Sequence, residues 1–170
     1  MGRVILDAPA SWTATRDTDG GWAIVEPGAE RWTFRIESEQ LSVPAGNASR
    51  RVDELAESLK ARLLDRDGGA VEVSDFDIAE KIVAHRYATA EGGVRVEVQT
   101  WHRIALGDSA IVIAHFGFEA PAERAADPDI AKAQALAERL VMAAELNPLA
   151  VPYRDRASAP PLVQAAPETR

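Results

Sequence analysis

Between Val94 and Phe118 the chain has little choice of structure. The first arm, V-R-V-E-V-Q-T-W-H-R-I-A-L, sets apolar residues at Val94, Val96, Val98, Ile104 and Leu106, and the second, S-A-I-V-I-A-H-F-G-F, is apolar nearly throughout. Gly107-Asp108 lies between them, a dipeptide suited to the positive φ of a tight two-residue turn, so the stretch predicts a β-hairpin at the centre of a sheet. A loop at Gly107-Asp108 sets Ile104 opposite Ile111, His102 opposite Ile113 and Thr100 opposite His115. The other face then pairs Arg103 with Val112, Trp101 with Ala114, Gln99 with Phe116 and Glu97 with Phe118. Large apolar groups fall on both faces, so both are expected to be at least partly covered.

The rest of the chain supplies partners for that hairpin. Residues 3–7 suit a short strand, residues 15–21 a turn, and residues 22–26 a second strand stopped by Pro27-Gly28. Residues 31–37 alternate, with Trp32, Phe34 and Ile36 on one side and Arg31, Thr33, Arg35 and Glu37 on the other. After a loop at 42–48, Ser49 reads as the cap of a helix whose apolar positions are Val52, Leu55, Leu59 and Leu63, ended by Gly68-Gly69. Residues 70–79 and 80–90 read as extended, and Glu91-Gly92-Gly93 turns the chain into the hairpin. Asp127-Pro128 opens a second helix with Ile130, Ala133, Ala137, Leu140, Val141 and Ala144 on one stripe, stopped by Asn147-Pro148. With no βαβ repeat, this order predicts one α+β domain over residues 1–148: a mostly antiparallel sheet flanked by two main helices. Residues 149–170, rich in Pro and Ala without periodicity, read as a flexible tail.

Composition excludes several functions. There is no cysteine among the 170 residues, so disulfides and thiolate chemistry are out. A formal net charge of −8 repels a phosphate backbone, which disfavours nucleic acid. No apolar run approaches the roughly 20 residues of a membrane helix, and the N-terminus does not read as a secretory signal, so the cytoplasm is the default location. No nucleotide-binding, zinc-protease or nucleophile-elbow motif occurs. No cofactor is expected.

Two sets of residues remain as candidate sites. Arg31, Arg35, Arg95, Trp101 and Arg103 could form a basic, aromatic patch for an acidic partner protein, although Trp101, Phe116 and Phe118 are more simply covered by the C-terminal helix. The four tryptophans, Trp12, Trp22, Trp32 and Trp101, likewise read first as core. His102 and His115 fall on one face, joined by His85 if the turn at Glu91–Gly93 has a two-residue loop, and three imidazoles on neighbouring strands could bind a metal or share a proton. The simpler alternative is that they are half-buried side chains satisfied by Thr100, backbone or water. The acidic pairs Asp65/Asp67, Asp75/Asp77 and Asp127/Asp129 suit helix ends and a strand edge.

The order of a tryptophan-bearing N-terminal segment, a W-T-F-R-I strand, a V-D-E-L-A-E-S-L-K-A-R-L helix, antiparallel strands and a terminal helix resembles the PsbP/DcrB-like superfamily, which includes the Eag-type chaperones of secretion effectors. The resemblance implies an α/β/α sandwich whose members mostly bind other proteins and are not enzymes, and it carries over no site residues. The expectation is therefore a non-catalytic adaptor or chaperone-like module that holds a partner segment on a sheet face or edge. Self-association into a homo-oligomer is left open. The alternatives are a ligand or metal site at the histidines, possibly enzymatic, and a component of a larger assembly anchored by the tail.

Overall fold

A computed structural model describes residues 3–16, 21–25, 31–42, 48–77, 79–107 and 110–147. The expected flexible tail therefore lies outside the described residues. Among the described residues nine strands and two α-helices follow in chain order: β1 (Arg3–Ile5), β2 (Thr13–Arg16), β3 (Trp22–Val25), β4 (Thr33–Ser42), α1 (Ala48–Asp67), β5 (Ala70–Asp77), β6 (Glu80–Glu91), β7 (Val94–Leu106), β8 (Ala110–Pro121), α2 (Pro128–Ala143) and β9 (Glu145–Asn147). Seven strands make one antiparallel sheet in the order β2-β3-β4-β8-β7-β6-β5, and β1 pairs with β9 beside it. The α+β architecture expected from the sequence is what the chain adopts. Two short strands depart from the expectation: β2 takes in Thr15 and Arg16 from the segment read as a turn, and β9 follows α2 directly.

The central hairpin forms, with its register displaced by two. The Gly107 N–H donates to the Ala110 carbonyl at 2.8 Å, and Leu106 pairs with Ile111, Ile104 with Ile113 and His102 with His115. Asp108, of the expected turn, and Ser109 lie outside the described residues. A shift of two residues leaves every side chain on its expected face, because strand side chains alternate with period two. At the preceding turn the two-residue loop does form: Gly92 and Gly93 both have positive φ, Glu91 pairs with Val94, and His85 lies opposite Thr100.

Helix α2 covers one face. Its stripe of Ile130, Ala133, Ala137, Val141 and Ala144 packs on Phe34, Ile36, Trp101, Phe116 and Phe118. Trp12 stands 4.8 Å from Trp32, which stacks on Phe118 at 5.6 Å, so the tryptophan cluster is core. Asp127 caps α2 by accepting from the Asp129 N–H at 3.0 Å, with Pro128 in the first turn, as the sequence predicts. The bond to Asp129, reinforced by Arg124, holds the Asp127 carboxyl below the usual range.

Helix α1 lies on the opposite face and carries the chain from β4, mid-sheet, to the edge strand β5. Val52, Ala56, Leu59 and Leu63 meet Val83, Ile104, Ile111 and Ile113. The helix starts at Ala48, one residue ahead of the expected cap Ser49. At its other end Gly69 could not be replaced: its φ is +77°, and a Cβ there would sit 2.1 Å from the Arg86 carbonyl oxygen.

Candidate functional site

Because α1 crosses from β4 toward β5, it shields the sheet over β5, β6, the Ile104 end of β7 and the Ile111–Ile113 start of β8, and leaves the other end of β7 and β8, with β4, to polar residues. There Arg35, Glu37 and Glu39 project from β4, and His115, Gly117 and Glu119 from β8. Glu37 and Glu39 are exposed, while Arg35, His115, Gly117 and Glu119 are half-buried. Arg35 pairs with Glu119 at 3.4 Å, which leaves Glu37 and Glu39 to set an acidic sign. Gly117 is a low point in this strip: a Cβ added there would approach only the Thr100 methyl, at 3.9 Å.

A chain of polar contacts runs inward from this strip. His115 Nε2 lies 3.5 Å from Glu39 Oε1, His115 Nδ1 meets His102 Nδ1 at 2.7 Å, and His102 Nε2 meets Thr100 Oγ1 at 3.1 Å. The two imidazoles stand nearly edge to face, with centroids 5.0 Å apart. His102 is 8% exposed, and its pKa falls from the ordinary 6.5 to about 3, first because burial penalises its charged form and then because His115 stands against it.

His85 shares the face and has a different task. It is fully buried, its Nε2–H donates to the Gly68 carbonyl at 2.7 Å just past the end of α1, and its ring stacks on Tyr87 at 4.7 Å. The three histidines thus share one face as the alternation predicts, but their hydrogen bonds go to Thr100, Gly68 and one another, with Glu39 beside His115 at ion-pair distance. Among the described residues no group of three or more His, Asp or Glu side chains is arranged to hold a metal ion.

The five residues expected to form a basic, aromatic patch are not brought together. Trp101 is 1% exposed and Arg103 3%, both on the α2 face, where the helix covers them as the packing of aromatic residues favours. Arg103 pairs with Glu80, donates through Nη1 to the carbonyls of Val141 at 2.7 Å and Ala144 at 2.6 Å, and lies over the Phe76 ring. It is a tether for the C-terminus of α2. Arg35 lies on the opposite face; Arg31 pairs with Asp127 at 3.7 Å, and Arg95 lies 3.6 Å from Glu97.

Two participants escaped sequence reasoning. Glu39 lay beyond the expected end of β4 at Glu37, although its phase matches that of Arg35 and Glu37 and continuing the alternation to Ser42 would have found it. Glu80, the partner of Arg103, carried no comparable signal. Two further hollows lie apart from this strip: one at the β5–β6 edge beside α1, lined by Asp53, Asp75, Asp77, Glu80 and Lys81, with Lys81 bonded to Asp53 and Asp75, the other along the outer side of α2.

No family model and no curated protein matches the chain. Among solved structures it is similar to LpqN, involved in cell envelope biogenesis of Mycobacterium tuberculosis, with a TM-score of 0.54 and 10% identity over 87% of this chain and 85% of that one. It is also similar to a structure from Bacteroides thetaiotaomicron, with a TM-score of 0.54 and 13% identity, covering 87% of this chain and 46% of that one, so the chain spans just under half of that protein. At these identities the likeness is one of fold. No helix among the described residues is long and apolar enough to cross a membrane.

Proposed function

We propose that this chain is a non-catalytic interaction module, adaptor or chaperone-like, that holds a segment of a partner protein on the polar strip of the α1 face. The observation carrying this reading is the half-covered face itself. A seven-stranded sheet closed by α2 on one side presents on the other a strip of exposed and half-buried polar side chains beside α1, with Gly117 as its low point. Exposed Glu37 and Glu39, on a chain of net charge −8, select a basic segment over the acidic partner expected from the sequence. The fold shared with LpqN supports kinship with the PsbP/DcrB-like proteins, and with it a binding role over an enzymatic one. A cytoplasmic location is part of the proposal. The envelope setting named for LpqN is its rival, and fractionation of the native cell separates them.

The test is an affinity capture from native extract with the intact chain and with a Glu37→Lys/Glu39→Lys variant. A stoichiometric partner held by the former and lost by the latter supports the reading. A partner held equally by both moves the binding surface elsewhere, and a chain that turns over a small molecule without any partner overturns the proposal.

A further inference from the structure

The Thr100–His102–His115–Glu39 chain can be occupied by protons in two ways, and these differ in direction. With both imidazoles neutral, the Glu39 carboxylate 3.5 Å from His115 Nε2 favours a proton on that nitrogen over a bare lone pair facing it, which makes His115 Nδ1 a bare acceptor. The 2.7 Å contact between the two Nδ1 atoms then requires the proton to belong to His102, and His102 Nε2, now bare, accepts from the Thr100 hydroxyl. Both hydrogen bonds point outward, from Thr100 toward His115 and the Glu39 beside it.

Uptake of one proton reverses both. The charge resides on His115, whose side chain is 30% exposed and beside Glu39, while His102 is buried. His115 as imidazolium donates from both nitrogens, to Glu39 and to His102 Nδ1. His102 must then carry its own proton on Nε2 and donate it to Thr100. The balance closes with one proton from solvent: the Nδ1 proton of His102 passes to His115, and His102 Nε2 takes one up by way of the Thr100 hydroxyl. Thr100 ends as the acceptor, with its own hydrogen freed to turn toward the space over Gly117.

We propose that the His102–His115 pair is a proton-operated switch that converts Thr100, in the floor of the open strip, from a hydroxyl committed inward to one that can donate outward. The charged groups around the pair agree with this placement. Arg62 and Arg66 on α1 and His85 on β6 disfavour charge on His102, while Glu39 from β4 stands 3.5 Å from His115 and Glu37 lies directly opposite it. On β6 the residue opposite His102, Val83, is apolar. The depressed pKa of His102, about 3, follows from the same burial and keeps that ring the neutral member across the working range of the switch. The device operates whether or not the strip holds a partner.

The experiment is a pH series from 8 to 5 on the full chain with 15N-labelled histidine, reading long-range 15N–1H spectra that distinguish protonated from bare ring nitrogens. The expected result is a single transition in which both His115 nitrogens become protonated and His102 exchanges Nδ1–H for Nε2–H. A His102 that keeps one tautomer while His115 charges overturns the proposal, as does a His102 that becomes doubly protonated in this range. Exposed Glu39→Gln removes the anionic acceptor at a site that does not carry the fold, and moves the tautomer exchange to lower pH. An exchange at unchanged pH in that variant also counts against the proposal. His115→Gln abolishes the exchange; should that variant not fold, the wild-type series and Glu39→Gln still decide.

Discussion

The two faces of the central sheet receive equally regular strand patterns and come to different ends. On the α2 face, Phe34, Trp101, Phe116 and Phe118 are dry and fully packed, and the charged group among them, Arg103, is consumed by Glu80 and two helix carbonyls. On the α1 face only the half beneath the helix is apolar, and the remainder is a graded polar strip leading to the histidine pair. Both helices are tethered at their C-terminal ends by a polar side chain from the sheet: Arg103 for α2 and His85 for α1. The sealed face spends its polar groups on holding the fold. The half-open face keeps groups whose protonation can change. Stability and adjustable chemistry are thus segregated to opposite sides of one layer.

That contrast can be broken most forcefully at its sealed side. Trp101→Ala should cost about 4 kcal/mol, since it removes a fully buried aromatic from a packed core, and chemical denaturation will show the lowered midpoint. Arg103→Ala should cost about 3 kcal/mol by stranding Glu80 and the carbonyls of Val141 and Ala144. Hydrogen exchange should rise first in the last turn of α2, and equal rises in both helices would refute the tether.

The half-open face should respond to acid instead. His102 stays neutral in the fold down to about pH 3, whereas in the unfolded chain it charges below about 6.5. Between those values the unfolded state binds more protons, so stability falls as pH drops from 6.5 toward 3, by a few kcal/mol in all. Denaturation midpoints measured across that window should slope downward with acid, and His102→Phe should flatten the slope. The smallest effect belongs to the strip itself. Gly117→Ala places a methyl in open space at 3.9 Å from Thr100, and its stability should lie within about 0.5 kcal/mol of the parent. A large loss would mean that this part of the face is more tightly covered than the strip requires.

Much of the fold was legible because it rests on periodicity. Trp32, Phe34 and Ile36, the α2 stripe and the Val52–Leu63 stripe of α1 all face where their spacing puts them. The site was legible only in part. His102 and His115 were correctly placed on one face, but the diagonal relation expected of them became a direct pair when the hairpin shifted by two. Such a shift changes no face, so alternation is blind to it, while the distance between two imidazoles depends on it entirely. The arginine patch failed for a related reason. Arg35 and Arg103 look alike in the sequence, and only sheet order and the path of each helix put one in a polar strip and the other beneath α2.

The sequence by itself determined the α+β class, the two helices and most of the strands, and which residues share a face, because these follow from local spacing, caps and turns. Tertiary structure alone decided the register at the Leu106–Ile111 turn and the half of the α1 face left polar. It also decided the partners of His85, Arg103 and Glu39. Each of these depends on where distant segments come to rest, and no local pattern encodes a distance across strands that are far apart in the chain.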